Sequence, residues 1–317
     1  MTTTQMPAAQ ATREALGPTL IKLFEEGVDL AVVDADLGTS TTSKIFGDKY
    51  PDRFFTLGPA EQNMIGIAAG LAAAGKVAFA STFGVFMPGH CFDQIRVSIS
   101  QPNLNVKLFS SHGGITPGED GISAHSIEDL GLMCSLINFK VIVPADVVEA
   151  AKAIEYAAHH PGPYYIRACR PKVPVIFEPE HEFKLGKADV LRNGTDVTLM
   201  ASGVLTKSAM DAADALAIEG INARVLNMST WQPLDEEAIE AAARETGAIV
   251  TAEEHLIHTG MGAMVAQRVA ATTPVPMGFV GITQYAESGK WDELLEKYGL
   301  TSADIVREAK ATIARKR

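Results

Sequence analysis

The chain has 317 residues, 47% of them hydrophobic and 21% charged, with a formal net charge of -11. That length suits two domains of roughly 130 to 180 residues, and the acidity argues against a nucleic-acid groove or an anionic membrane surface. No stretch reaches transmembrane length free of charges or turn residues, and the N-terminus has neither a basic nor an apolar leader segment. Cys91, Cys134 and Cys169 form an odd, widely spaced set that matches neither a disulfide framework nor zinc-ligand spacing, so a reducing, cytoplasmic setting is expected.

In chain order, short apolar runs rich in β-branched and aromatic residues predict strands at 30–34, 77–82, 106–111, 140–144 and 164–167. Helices are expected between them, near 60–74, 88–100, 126–136 and 145–160. Strands this apolar belong to a sheet covered on both faces, and the alternation with helices predicts parallel βαβ units. A Pro- and charge-rich stretch at 170–186 interrupts the rhythm. It then restarts with strands at 196–202, 223–228 and 248–253 and helices near 206–219, 235–246, 260–271 and 302–314. The expected fold class is α/β, with two domains, 1–170 and 187–317, joined by a linker at 171–186. Each domain carries a largely parallel sheet flanked by helices.

Three segments could carry chemistry. In 58–76, Pro59 suits the first turn of a helix and Glu61 lies in that turn. Met64 to Ala74 is small and apolar on all sides, which predicts a helix buried all round, and Gly66 and Gly70 suggest close packing against another backbone. By itself Glu61 reads equally well as a solvated carboxylate favoured by the helix dipole. In 80–96, Phe83 and Phe86 stand three apart after an apolar strand, a spacing that ordinary core aromatics also show. In 110–129, a long Gly-rich loop carries His112, Glu119, Asp120 and His125. It starts at the C-terminal end of a predicted strand, the edge where parallel α/β sheets bind ligands, and loops of that length are usually functional. His255 and His258 are three apart with no third ligand, so no metal ligand set is assigned.

Taken together, Ala60-Glu61-Gln62-Asn63, the Ser81-Thr82-Phe83 to Phe86 pattern, and a His-containing loop with Gly118-Glu119-Asp120-Gly121 resemble the C-terminal half of transketolase. The segments 34–41 and 164–174 resemble that family's Ala-Asp-Leu loop and arginine-bearing strand end. The resemblance spans nearly the whole chain and is strongest across 30–175. It implies a pyrimidine-binding domain followed by a transketolase C-terminal domain, with thiamine diphosphate as cofactor. Glu61 would hydrogen-bond N1′ of the aminopyrimidine and promote loss of the thiazolium C2 proton, which needs a carboxylate desolvated enough to share a proton. Phe86 would stack on the pyrimidine, with Phe83 and Asp36 lining the same pocket. His112, the second catalytic candidate, would face the sugar with Asp120 and His125. Arg13, Ser40 and Arg167 would hold the substrate phosphate, a task that suits the planar donor fork of arginine. Arg13 also reads as a surface helix residue and Ser40 as a helix cap.

Two departures from the family pattern bear on substrate choice. Gly89 stands where an aromatic is usual, and Ala124-His125 stands where a His-Gln pair is usual. The Gly-Asp-Gly motif of the superfamily's diphosphate and metal site does not occur in the chain. Mg2+ and the diphosphate are therefore expected on a partner, an N-terminal transketolase subunit, in an α2β2 assembly. The resemblance implies transfer of a two-carbon ketol unit between sugar phosphates. The beta subunit of a 2-oxo acid dehydrogenase, a deoxyxylulose-phosphate-synthase-like enzyme and a non-catalytic partner-binding paralogue stand as alternatives.

Overall fold

The computed structural model describes residues 9–316. One sheet has seven strands, in the spatial order Thr230–Gln232, Lys140–Ile142, Tyr164–Arg167, Val106–Ser111, Val77–Phe83, Leu30–Asp34 and Phe54–Thr56. All neighbours pair in parallel except Thr230–Gln232, which runs antiparallel to Lys140–Ile142. Leu30–Asp34 and Val106–Ser111 are buried along their whole length, as a sheet with helices on both faces requires. Because side chains alternate along a strand, Ala78 and Ala80 enter one core and Phe79 the other. Helices Glu61–Ala73 and Phe86–Gln94 fill the first core through Met64, Ile65, Met87 and Cys91. Helices Leu16–Glu25 and Val147–His159 fill the second through Leu20, Leu23 and Ile154.

A second sheet runs Met277–Ile282, Ile249–Leu256, Val197–Ala201 and Ala223–Asn227 in parallel, with Asp189–Arg192 antiparallel at the edge. The two sheets are laced together, because Thr230–Gln232 leaves the second half of the chain to extend the first sheet. The segment expected as a linker also joins the fold. Val173–Pro174 pairs with Ala9–Gln10, and Asp146 accepts hydrogen bonds from the Ile176 and Phe177 amides at 2.6 and 2.8 Å.

Two expectations need correction. The helix expected at 126–136 shrinks to Asp129–Cys134, because Ser126 bridges back to Gly114 and keeps the preceding residues in the loop. The helix Glu61–Ala73 is not enclosed on all sides by this chain. Met64, Ile65, Ala68, Ala69 and Ala72 are buried, but Asn63, Gly66, Gly70 and Ala73 form an exposed stripe. A Cβ placed on Gly66 or Gly70 would meet nothing within 4 Å, so no element of this chain makes the close backbone approach that the glycines suggested. Among the described residues, no helix is long and apolar enough to cross a membrane.

Candidate active site

The residues of interest collect at the carboxyl edge of the seven-stranded sheet, where strand ends turn into loops. Phe83 ends one strand, and Phe86 opens the helix that follows. Their rings stack at 5.8 Å with 14° between planes. His112, just past Val106–Ser111, stacks on Phe83 at 3.7 Å, and His90 stacks on Phe86 at 5.1 Å. Four rings thus form a column. Beside its His90 end, Glu61 opens the helix Glu61–Ala73, where the dipole favours a carboxylate. The Glu61 side chain is 13% exposed, and His90 Nδ1 lies 3.5 Å from Oε2. Pro59, Ala60, Glu61, Gln62, Asn63 and His90 line an open groove of about 370 Å³.

At the other end of the column, His112 is buried and holds φ at 59°, a left-handed conformation uncommon outside glycine. Its Nδ1 lies 2.8 Å from Ser111 Oγ. Burial, with the Arg13 and Arg170 cations nearby, pushes the imidazole down to about 3, so at neutral pH it is an uncharged hydrogen-bonding group. Arg13 donates to the Ser40 carbonyl at 2.6 Å, while its Nε is buried with no partner. Burial and the neighbouring Arg170 lower the Arg13 guanidinium below its ordinary value. Arg170 donates to the Pro117 carbonyl at 2.8 Å and pairs with Glu119 at 3.1 Å. Two arginines share one neighbourhood with no carboxylate bonded to Arg13 among the described residues, an arrangement suited to a bound anion. Asp120 is exposed on the turn Gly118–Asp120. His125 is buried, with Nε2 3.3 Å from the Gly118 carbonyl and Nδ1 unpartnered. Asp36 is exposed at φ 65°, in the turn after Leu30–Asp34.

The comparisons fit this geometry. The transketolase pyrimidine-binding domain matches residues 8–175, and the transketolase C-terminal domain matches residues 186–305. The chain belongs to the transketolase family. It is 39% identical to a 6-deoxy-6-sulfo-D-fructose transketolase subunit of Clostridium sp. over 298 residues, covering 94% of this chain and 92% of that one. It is 35% identical to an apulose-4-phosphate transketolase subunit of Phocaeicola vulgatus, covering 94% of this chain and 96% of that one. A solved split-gene transketolase, described as an inactive β4 tetramer, superposes with a TM-score of 0.90 at 44% identity, over 97% of this chain and 99% of that one. This is therefore a transketolase-type transferase subunit, matched in extent by relatives that are themselves separate subunits, and the family uses thiamine diphosphate.

Arg167, one of the expected phosphate ligands, is engaged inside the chain. It is buried, its Nε lies 3.3 Å from Asp129 Oδ2, and its Nη2 donates to the carbonyls of Ser126 and Glu254 at 3.1 and 3.0 Å. Arg170 instead stands beside Arg13. Both arginines lie in the segment 164–174, but only Arg170 has left the strand, so only its side chain can swing out over the edge. Ser40 contributes its carbonyl to Arg13 rather than its hydroxyl. His90 went unanticipated, although its place four residues after Phe86 puts both on one helix face. Glu254 was missed as well, and nothing local in the sequence distinguishes it.

The donor set fits an aminopyrimidine: a carboxylate at the edge of an open groove with one long contact, beside two stacked aromatics. A metal–diphosphate site is not built from this set. Among the described residues, the group with potential ligand atoms close together is Glu149, His181 and Asp189. The Glu149 carboxylate is already taken up by Asn227 Nδ2 at 2.8 Å and the Ala145 amide at 2.7 Å, on elements other than those carrying Glu61 and Phe86.

Proposed function

We propose that this chain is the pyrimidine-binding half of a two-subunit transketolase that moves a two-carbon ketol unit between sugar phosphates. The observation that carries the proposal is Glu61 at an open helix mouth beside the Phe83–Phe86 stack, on a helix whose Gly66–Gly70 stripe faces outward. When bound, thiamine diphosphate supplies the carbon nucleophile and the electron sink for the reaction. Glu61 shares a proton with N1′ of its pyrimidine. Phe86 and Phe83 hold the ring by stacking, with Asp36 at the border of the pocket. His112, uncharged, orients a sugar hydroxyl, with Asp120 and His125 along the sugar chain. Arg13 and Arg170 bind the substrate phosphate.

In this reading a partner subunit covers the exposed helix stripe and brings Mg2+ and the diphosphate site, and twofold symmetry makes the assembly α2β2. The inactive tetramer of the split-gene relative supports the view that one chain type alone is incomplete. Free Cys91, Cys134 and Cys169 support a reducing, cytoplasmic compartment. The test is reconstitution with a diphosphate-binding partner chain, cofactor and Mg2+. Ketol transfer should need both chains, and robust turnover by this chain alone would overturn the proposal.

A further inference from the structure

The second half of the chain reaches the site through the end of the strand Ile249–Leu256. Glu254 is buried, and its Oε1 accepts two hydrogen bonds, from the Ile115 and Thr116 amides, both 2.7 Å long. Its carbonyl accepts from Arg167 Nη2, the same nitrogen that holds the Ser126 carbonyl. The neighbouring residues continue the seam: Leu256 N donates to Ile127 O at 3.1 Å, and Gly131 N donates to His255 Nε2 at 3.2 Å. At the far end, Ser288 Oγ donates to Glu119 O at 2.6 Å. The loop 112–128 is thus tied to the second sheet's domain near its start, at its middle and at its C-terminal end.

The glycine pair at 113–114 belongs to the same device. A Cβ on Gly113 would sit 2.0 Å from Arg167 Nε, and one on Gly114, which has φ +72°, would sit 2.0 Å from the Glu254 carboxyl carbon. The loop backbone is therefore pressed between Arg167 and Glu254, and only glycine permits the approach. His112 immediately precedes this pair in a sparsely populated conformation, which persists only where its surroundings over-determine it. A buried carboxyl whose oxygen accepts two backbone N–H bonds supplies that constraint, although burial raises its pKa above the usual carboxylate value.

We propose that Glu254 is a positioning residue for ketol transfer: the C-terminal domain uses its carboxylate to template the loop that presents His112, Asp120 and His125 to the sugar. The proposal rests on the transketolase reading of that loop. In the complex reconstituted with the partner subunit, Glu254→Ala and Glu254→Asp both withdraw the acceptor oxygen, whereas Glu254→Gln keeps an oxygen at the same reach. KM for the sugar phosphates should rise about 10-fold or more in the Ala and Asp variants, with cofactor affinity held, and Gln should recover most of the loss. Hydrogen exchange at the Ile115 and Thr116 amides should speed up in the Ala and Asp variants, while the strand Val106–Ser111 stays protected. Unchanged exchange at those two amides, or a fall in kcat and thermal midpoint with KM unmoved, would overturn the proposal. The Asp variant keeps the charge and most of the volume, so the test survives if the Ala variant does not fold. A wild-type complex with no ketol transfer would overturn the transketolase reading, and the catalytic part of this proposal with it, whatever the exchange shows.

Discussion

The loop 112–128 is held within the chain by Arg167, Glu254, Leu256 and Ser288, whereas the mouth of the helix Glu61–Ala73, at the same sheet edge, faces outward. Glu61 there has one long contact to His90, and the glycines behind it meet no neighbour. In the proposed reading, the substrate side is preorganised by this chain's own second domain, and the cofactor side is left for a partner to complete. On that reading, the site would bind its substrate groups in a shape set before assembly and gain its chemistry only when a partner closes over Glu61. The same contrast separates the two arginines of the segment 164–174. Arg167 is engaged in holding the loop, and Arg170 is left beside Arg13, where the proposed phosphate would bind.

Substitutions at those two arginines break the comparison most strongly. Arg167→Ala leaves Asp129 buried without its cation, so unfolding stability should fall by about 3–5 kcal/mol. Arg170→Ala should leave the denaturation midpoint nearly unchanged and raise KM selectively for phosphorylated substrates. Denaturant titration alongside kinetics on phosphorylated and unphosphorylated acceptors separates them, and similar stability losses in both would erase the distinction. On the cofactor side, Glu61→Gln in the assembled enzyme should cost about 10²-fold or more in kcat, exceeding its loss of cofactor affinity. Exchange of the cofactor's C2 proton should slow in parallel, and wild-type exchange would make Glu61 no more than a dipole-favoured carboxylate. Phe86→Ala should weaken cofactor binding by roughly 1–3 kcal/mol without unfolding the chain, as calorimetric titration of the complex would show.

A further expected effect concerns acid stability. His112 titrates at about 3 in the fold against its usual 6.5, so below 6.5 the unfolded chain takes up a proton that the folded chain refuses. The stability that His112 lends is present above pH 6.5 and is lost as pH falls toward 3. Asparagine tolerates the positive φ there, so His112→Asn should fold and lose less stability than wild type across that window. Parallel thermal melts from pH 7 to pH 4 would show it, and equal slopes for the two proteins would mean that His112 does not set this dependence.

Much of the scaffold is a local property of the sequence. The strands Leu30–Asp34, Val106–Ser111 and Tyr164–Arg167 lie where their apolar runs predict them, because a strand covered on both faces must be continuously hydrophobic. Phe54–Thr56 and Thr230–Gln232 are three-residue strands at sheet edges, too short to carry a period, and Met277–Ile282 is broken by glycines. The sequence by itself also determined the order of the site segments: Glu61 at a helix start, the aromatics three apart, and the Gly-rich loop after a strand. Tertiary structure alone decided that Arg167 is held inside the chain while Arg170 stands beside Arg13, that His90 stacks on Phe86, that one side of the helix Glu61–Ala73 is left bare, and that Glu254 closes on a loop more than a hundred residues earlier in the chain. Local choices depend on neighbours a few residues away, which hydrophobic period and turn chemistry encode. The direction of a buried side chain depends on what the fold brings beside it, and no short window of sequence contains that.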